Sequence, residues 1–157
     1  MHHNGSAMIS AWINPQDLSK VDRSKTPFVI FTTHRPVFCS SKDEFSQHKI
    51  EEDLLEPLFL KYSVDLVVTG HMHVYERIWP NIGGVPVVNT SNVFKNVGAP
   101  CYVVNGLGGC LKSLPEVWIE PAPVWSAFRS TRHYGYGLIR ANHTHLNYQL
   151  KLEKDNS

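Results

Sequence analysis

The chain has 157 residues, of which 42% are hydrophobic and 18% are charged, a balance typical of one globular domain rather than a disordered segment. Lys and Arg total 15 while Asp and Glu total 14, so the formal charge of +1 favours neither nucleic acid nor an anionic membrane as a partner. No apolar run reaches the roughly 20 residues that cross a bilayer, and the N-terminal segment lacks the apolar core of a signal peptide. We therefore expect a single soluble domain over residues 1–157.

The first half of the chain alternates helical and strand patterns. A helix is predicted over residues 15–21, because a proline can begin a helix but not continue one. Residues 28–31 are β-branched or aromatic and predict a strand buried on both faces. After a polar loop at 39–47, apolar residues at helical spacing predict an amphipathic helix from about residue 50 to 62. A second buried strand is predicted at 65–69.

The second half contains more glycine, proline and asparagine. Residues 80–98 predict a long loop with one hairpin at Gly83-Gly84. Residues 102–104 predict a third strand, and residues 135–141 and 145–152 predict an antiparallel pair. Helices alternating with buried strands in this way indicate a layered α/β domain with parallel strands.

Three histidines follow the first two predicted strands directly: His34 after the first, and His71 and His73 after the second. Ligand sites in open α/β sheets form beyond the carboxyl ends of parallel strands, so these side chains are expected to converge. If the backbone there is extended, His71 and His73 face the same side, and Gly70 suits a turn that a Cβ would obstruct. The pattern is compatible with a metal site but does not by itself establish one. The competing interpretation is surface histidines in polar loops, since the chain contains nine histidines in all.

Two longer strings resemble conserved blocks of a known enzyme family. The first is Val29-Ile30-Phe31-Thr32-Thr33-His34-Arg35-Pro36 and the second is Gly70-His71-Met72-His73-Val74-Tyr75-Glu76-Arg77. They are similar to the last two of the five sequence blocks of the purple acid phosphatases, which are calcineurin-like metallophosphoesterases. Residues 105–109, 125–129 and 134–137 resemble later parts of the same family, and the long-type enzymes of animals and protists are the most similar branch.

The resemblance implies a fold and a set of metal ligands. The fold is α/β, the C-terminal half of a metallophosphoesterase β-sandwich flanked by helices in α/β/β/α layers. In the family a binuclear centre pairs Fe(III) with Zn, Fe or Mn and hydrolyses phosphate monoesters. By resemblance, His34 and His71 bind the divalent metal and His73 binds the ferric ion. His48 is the candidate for substrate binding or general acid catalysis, against the alternative of a solvated helix N-terminus.

The family's remaining ligands belong to three earlier blocks, written GDxG, GDxxY and GNHE, and none of these occurs in this sequence. We therefore interpret the chain as a truncated catalytic domain. Because three neutral imidazoles cannot offset the charge of a divalent and a trivalent cation, we expect at most one weakly bound metal and little or no hydrolysis from this polypeptide alone. Glu76 and Arg77 are expected to form a structural ion pair, with Tyr75 packed behind the ligands.

Two other functions stay open at this stage. One is a phosphodiesterase of the same superfamily, which the similarity over residues 125–137 disfavours. The other is a non-catalytic remnant that acts as an interaction module, which the missing blocks favour. The resemblance also implies a secreted, lysosomal or vacuolar glycoprotein. Asn4, Asn89 and Asn142 each begin an N-glycosylation pattern.

Overall fold

The computed structural model of the chain describes residues 15–42, 48–109 and 118–153. Its helices are α1 (Pro15–Ser19) and α2 (His48–Lys61). The strands in chain order are β1 (Ile30–Thr33), β2 (Leu66–Thr69), β3 (Tyr75–Ile78), β4 (Asn81–Ile82), β5 (Val85–Pro86), β6 (Cys101–Asn105), β7 (Ser126–Ser130), β8 (Gly135–Ala141) and β9 (Leu146–Leu152). Within these ranges no helix is both long enough and apolar enough to cross a membrane.

Five strands form one mixed sheet in the order β1-β2-β6-β3-β7. Strands β1, β2 and β6 are parallel, whereas β3 runs antiparallel to both β6 and β7. The carboxyl ends of the three parallel strands therefore lie at one edge of the sheet, and β3 begins at that same edge. Strands β8 and β9 form a separate antiparallel hairpin, and β4 and β5 form a short one.

The sheet is covered on both faces. Successive residues of a strand face opposite sides, and Val67 and Tyr102 pack with Phe59 of α2 in one buried cluster. On the other face, Val103 belongs to a second cluster, against which Tyr148 of β9 packs. The order of layers is thus helix, sheet and hairpin, in agreement with the predicted α/β fold class.

Most of the predicted elements are present. Helices α1 and α2, the buried strand β2, the hairpin at Gly83-Gly84 and the C-terminal pair all lie within a few residues of their predicted positions. The first strand is shifted to Ile30–Thr33, and the prediction that it is buried on both faces is wrong. It is an edge strand that pairs only with β2 in the described sheet, and 38% of Ile30 is exposed.

Strands β3 and β7 were not predicted from the sequence. Each carries polar residues in a short run, Tyr-Glu-Arg-Ile in β3 and Ser-Ala-Phe-Arg-Ser in β7. Such runs lack the apolar alternation that identifies a strand. The sheet is consequently mixed instead of wholly parallel. Cys39 and Cys101 form no disulfide with each other, and Cys110 lies outside the described residues.

Candidate metal centre at the strand tips

The tips of β1 and β2 are held side by side by the backbone. The parallel register pairs Thr33 with Thr69, so the residues that follow, His34 and Gly70, are neighbours across the two strands. The Gly70 N–H donates to the carbonyl oxygen of His34 at 3.1 Å, which continues the ladder by one step beyond the strand ends. This pairing places His34 beside the loop that carries His71.

The imidazole rings of His34 and His71 are in contact. Nε2 of His34 and Nδ1 of His71 are 3.0 Å apart, and the ring centroids are 4.8 Å apart at an interplanar angle of 75°. Two nitrogens bound to one ion at about 2.0–2.1 Å lie about 2.9 Å apart at a right angle and about 3.4 Å apart at a tetrahedral angle. The observed separation therefore fits two ligands of one shared cation, and it also fits a hydrogen bond between the two rings.

The backbone that carries His71 is strongly bent. His71 has φ of 60°, in the left-handed region that non-glycine residues rarely adopt, and such residues concentrate at functional sites. The Met72 N–H donates to the Gly70 carbonyl at 2.7 Å, and the Val74 N–H donates to the Met72 carbonyl at 2.8 Å. The backbone from His71 to His73 is therefore not extended as expected. The alternation of side chains along an extended strand thus does not place the two rings on the same side.

The glycine that this loop requires is Gly106 and not Gly70. A Cβ on Gly70 would meet nothing within 4 Å, and its φ is not positive, so the predicted steric reason for Gly70 is wrong. A Cβ on Gly106 would lie 1.9 Å from the Met72 carbonyl oxygen and 3.1 Å from the Cα of His73. The turn after β6 thus packs directly against the backbone of residues 70–74, which we call the histidine loop.

The structure does not bring His73 into the same contact. Its side chain is exposed, and the described residues contain no group of three or more His, Cys, Asp or Glu side chains close enough to hold a metal. His48 is the first residue of α2, and its side chain lies outside the described part of the structure. The roles predicted for His73 and His48 accordingly stay predictions.

Two protein-family models match the chain. Residues 2–75 match the calcineurin-like phosphoesterases, and residues 99–157 match the iron/zinc purple acid phosphatase-like protein C. The chain belongs to the purple acid phosphatase family. This agrees with the resemblance of the two histidine strings.

Known purple and acid phosphatases are similar to the chain over most of its length. Phosphoenolpyruvate phosphatase of Allium cepa is 33% identical over 147 residues, covering 92% of this chain and 30% of that protein. Acid phosphatase type 7 of Homo sapiens is 35% identical over 153 residues, covering 88% and 34%. A purple acid phosphatase from yellow lupin (Lupinus luteus) seeds superposes with a TM-score of 0.78 at 27% identity, covering 98% of this chain and 27% of that one. The chain spans about a third of the length of these relatives.

Behind the histidine loop of this purple acid phosphatase chain lies a buried carboxylate, Glu76. It is 0% exposed and accepts hydrogen bonds from Ser40 N at 2.7 Å, Ser40 Oγ at 2.6 Å and Ser126 Oγ at 2.5 Å. Burial raises the pKa of Glu76 above its ordinary value, and the hydrogen bonds from Ser126 and Ser40 act in the opposite direction. One side chain thereby joins the segment that follows His34, strand β3 and strand β7.

The prediction of an ion pair between Glu76 and Arg77 is wrong. Adjacent residues of a strand face opposite sides of the sheet, so Glu76 faces the interior while Arg77 donates to Asn92 Oδ1 at 2.6 Å and lies over the Trp79 ring. Tyr75 is buried and its ring lies 6.0 Å from that of Phe128, while its expected place behind the metal ligands stays a prediction. Burial raises the pKa of Tyr75 to about 12, so its hydroxyl stays neutral at physiological pH.

The hydrogen-bond partners of Glu76 were not predicted from the sequence. Ser40 and Ser126 are separated from Glu76 by 36 and 50 residues, and no local pattern connects them. Gly106 lies within residues 105–109, which resemble a later part of the family, but its contact with Met72 depends on the pairing of β6 with β3. Both features are long-range and become visible only once the sheet order is known.

Proposed function

We propose that this chain supplies metal ligands to the binuclear centre of an acid phosphatase that hydrolyses phosphate monoesters. Membership of the purple acid phosphatase family supports the proposal, as do relatives named acid phosphatase and phosphoenolpyruvate phosphatase. The observation that carries it is the 3.0 Å separation of His34 Nε2 and His71 Nδ1 at two adjacent strand tips.

Within this proposal, His34 and His71 hold the divalent cation together, and His73 binds the second cation, Fe(III). The contact between the first two rings supports their sharing one ion, and the exposure of His73 leaves its nitrogens accessible to another. The identity of the divalent metal, among Zn, Fe and Mn, belongs to the proposal too.

When bound, the two cations would activate a water nucleophile and neutralise charge on the phosphoryl and leaving oxygens. The chain's own residues would bind the cation and orient the imidazoles that hold it. The ladder bond from Gly70 to His34 keeps the two imidazoles adjacent, and the left-handed turn at His71 directs its Nδ1 towards His34. An imidazole binds a metal through the lone pair of one ring nitrogen, so His34 and His71 would each offer one nitrogen to the cation.

A metal titration of the purified 157-residue chain, followed by p-nitrophenyl phosphate hydrolysis with Fe and Zn added, tests the proposal. We expect no more than one equivalent of metal, bound through His34 and His71, and little hydrolysis from the chain alone. Adding a polypeptide that carries the GDxG, GDxxY and GNHE blocks of a relative should raise hydrolysis, and His71→Ala should abolish the increase. Absence of metal binding by the chain and of any gain on complementation would overturn the proposal.

A second candidate is a non-catalytic interaction module. It is favoured by the finding that the described residues hold no group of three potential metal ligands. Metal stoichiometry separates the two functions: zero equivalents, with or without the complementing polypeptide, identifies a module, and metal bound through His34 and His71 identifies a phosphatase centre.

We also propose that the protein is secreted, lysosomal or vacuolar and carries a glycan at Asn142. Asn142 lies at the exposed tip of the β8–β9 hairpin, where its Oδ1 accepts hydrogen bonds from the backbone N–H groups of Thr144 and His145, both at 2.8 Å. A glycan on the amide nitrogen leaves these bonds to Oδ1 intact. Expression through a eukaryotic secretory pathway should give a mass shift that enzymatic deglycosylation removes and that is smaller by one glycan in Asn142→Gln; an equal shift in the two chains contradicts the proposal.

A further inference from the structure

We infer that Tyr148 and Asn105 are positioning residues for the loop that carries His71 and His73. The link runs from the C-terminal hairpin through the turn after β6 to the histidine loop. The inference rests on the proposed function, because it assigns these two residues a purpose in holding metal ligands.

The first contact joins the hairpin to the sheet. Asn105 Nδ2 donates to the Tyr148 hydroxyl at 2.7 Å, across 43 residues of sequence. Gly137 of β8 leaves room for this hydroxyl, since a Cβ there would lie 2.2 Å from it. Tyr148 is partly buried against the cluster that contains Leu66 and Val103. A tyrosine hydroxyl both accepts and donates, so it can hold the Asn105 amide in one orientation.

The second contact joins Asn105 to the turn that follows it. Asn105 Oδ1 accepts from the Leu107 N–H at 3.4 Å, and the Gly106 N–H donates to the Val74 carbonyl at 3.0 Å. The Asn105 side-chain amide is held at Nδ2 by Tyr148 and at Oδ1 by Leu107. These two bonds therefore fix the path of the backbone through Gly106.

The third contact transmits this position to the histidine loop. The backbone at Gly106 approaches Met72 so closely that a Cβ would lie 1.9 Å from the Met72 oxygen and 2.7 Å from its carbonyl carbon. The backbone at Gly106 is thus packed against the Met72 carbonyl, so the two segments share one close backbone contact. A shift of the turn at Gly106 must move Met72, and with it His71 and His73 on either side.

The chain offers a matched control for testing this role. Tyr148→Phe removes only the hydroxyl that holds Asn105. Tyr102→Phe removes a buried hydroxyl that has no hydrogen-bond partner in the described part of the chain, and Tyr102 packs on the opposite face of the sheet with Phe38 and Phe59. Both variants keep an aromatic ring in a packed position, so a general effect of losing a tyrosine hydroxyl is common to both.

Two readouts are needed: amide hydrogen exchange of Gly106 and Leu107 without metal, and Co(II) affinity of the full 157-residue chain. We expect Tyr148→Phe to accelerate exchange at both amides and to weaken Co(II) binding by about 3- to 10-fold, at or below the low end of the loss typical for residues that orient metal ligands. Tyr102→Phe should leave both unchanged. In an Asn105→Ala background, Tyr148→Phe should have no further effect, because the two residues act through one bond.

Unchanged exchange at Gly106 and Leu107 in Tyr148→Phe would overturn the inference, as would equal effects in the two tyrosine variants. Should Tyr148→Phe fail to fold, Asn105→Ala alone is measured against Tyr102→Phe by the same two readouts. If the unmodified chain binds no Co(II), the exchange data alone decide whether Tyr148 and Asn105 position the loop, and the complementation assay decides whether the proposed function stands.

Discussion

The run from Gly70 to Arg77 contains two regions with opposite environments. The first region ends at His73, and its histidines are accessible to solvent: His73 is exposed, and His71 is only partly buried and contacts His34. In the second region, Glu76 is completely buried and accepts hydrogen bonds from Ser40 and Ser126. The candidate ligands are therefore accessible to solvent. The buried hydrogen bonds are made by Glu76, three residues after His73 and five residues after His71.

The largest expected effect comes from removing the buried support. Glu76→Ala leaves the Ser40 N–H without its acceptor in a buried position, so we expect the free energy of unfolding to fall by about 3 kcal/mol. Urea unfolding followed by circular dichroism measures this loss. Glu76→Gln is the matched control, because it keeps an oxygen for the Ser40 N–H and should lose less than half as much. Equal losses in the two variants would show that the hydrogen bonds do not explain the effect.

The next largest effect is expected where the turn after β6 meets the histidine loop. Gly106→Ala places a Cβ 1.9 Å from the Met72 oxygen, and overpacking of this kind costs about 1–3 kcal/mol. Gly108→Ala is the control, since a Cβ there meets nothing within 4 Å. Thermal unfolding of both variants tests the contact, and a Gly106→Ala protein as stable as Gly108→Ala would refute it.

The two regions also differ in how far the sequence predicted them. The convergence of His34 and His71 followed from the rule that parallel strands end at one edge of a sheet, and β2 and α2 had clear apolar patterns. Strand β3 was missed because its buried Glu76 looks like a surface residue until Ser40 and Ser126 are known to satisfy it. The left-handed turn at His71 and the close approach of Gly106 depend on tertiary contacts that no local pattern encodes.

A smaller effect is expected from pH. Because burial raises the pKa of Glu76 in the folded state above its ordinary value of 4.5, the folded chain binds the proton more tightly than the unfolded chain. The stabilisation is complete below the unfolded pKa and is lost as pH rises through the folded pKa, with a slope of at most about 1.4 kcal/mol per pH unit. Unfolding free energies measured across this range should show the decline in the unmodified chain and a flatter profile in Glu76→Gln. A profile with the same slope in both would remove Glu76 as the cause.

The smallest effect on stability is expected at the exposed histidines themselves. His34→Ala and His71→Ala remove side chains that are exposed or partly buried, so each should change the free energy of unfolding by less than about 1 kcal/mol. His143→Ala, at the exposed hairpin tip, is the control for losing a surface histidine. Urea unfolding of the three variants measures this change. If His71→Ala lost as much unfolding free energy as Glu76→Ala, the two regions would not differ in their contribution to stability.

We propose that His34 and His71 together hold one cation, and a Co(II) titration of the folded chain, followed by visible absorption, measures this binding. We expect saturable binding of no more than one equivalent, abolished by His34→Ala and by His71→Ala and retained in His143→Ala. Binding that survives in both strand-tip variants, or no binding by the unmodified chain, would contradict it.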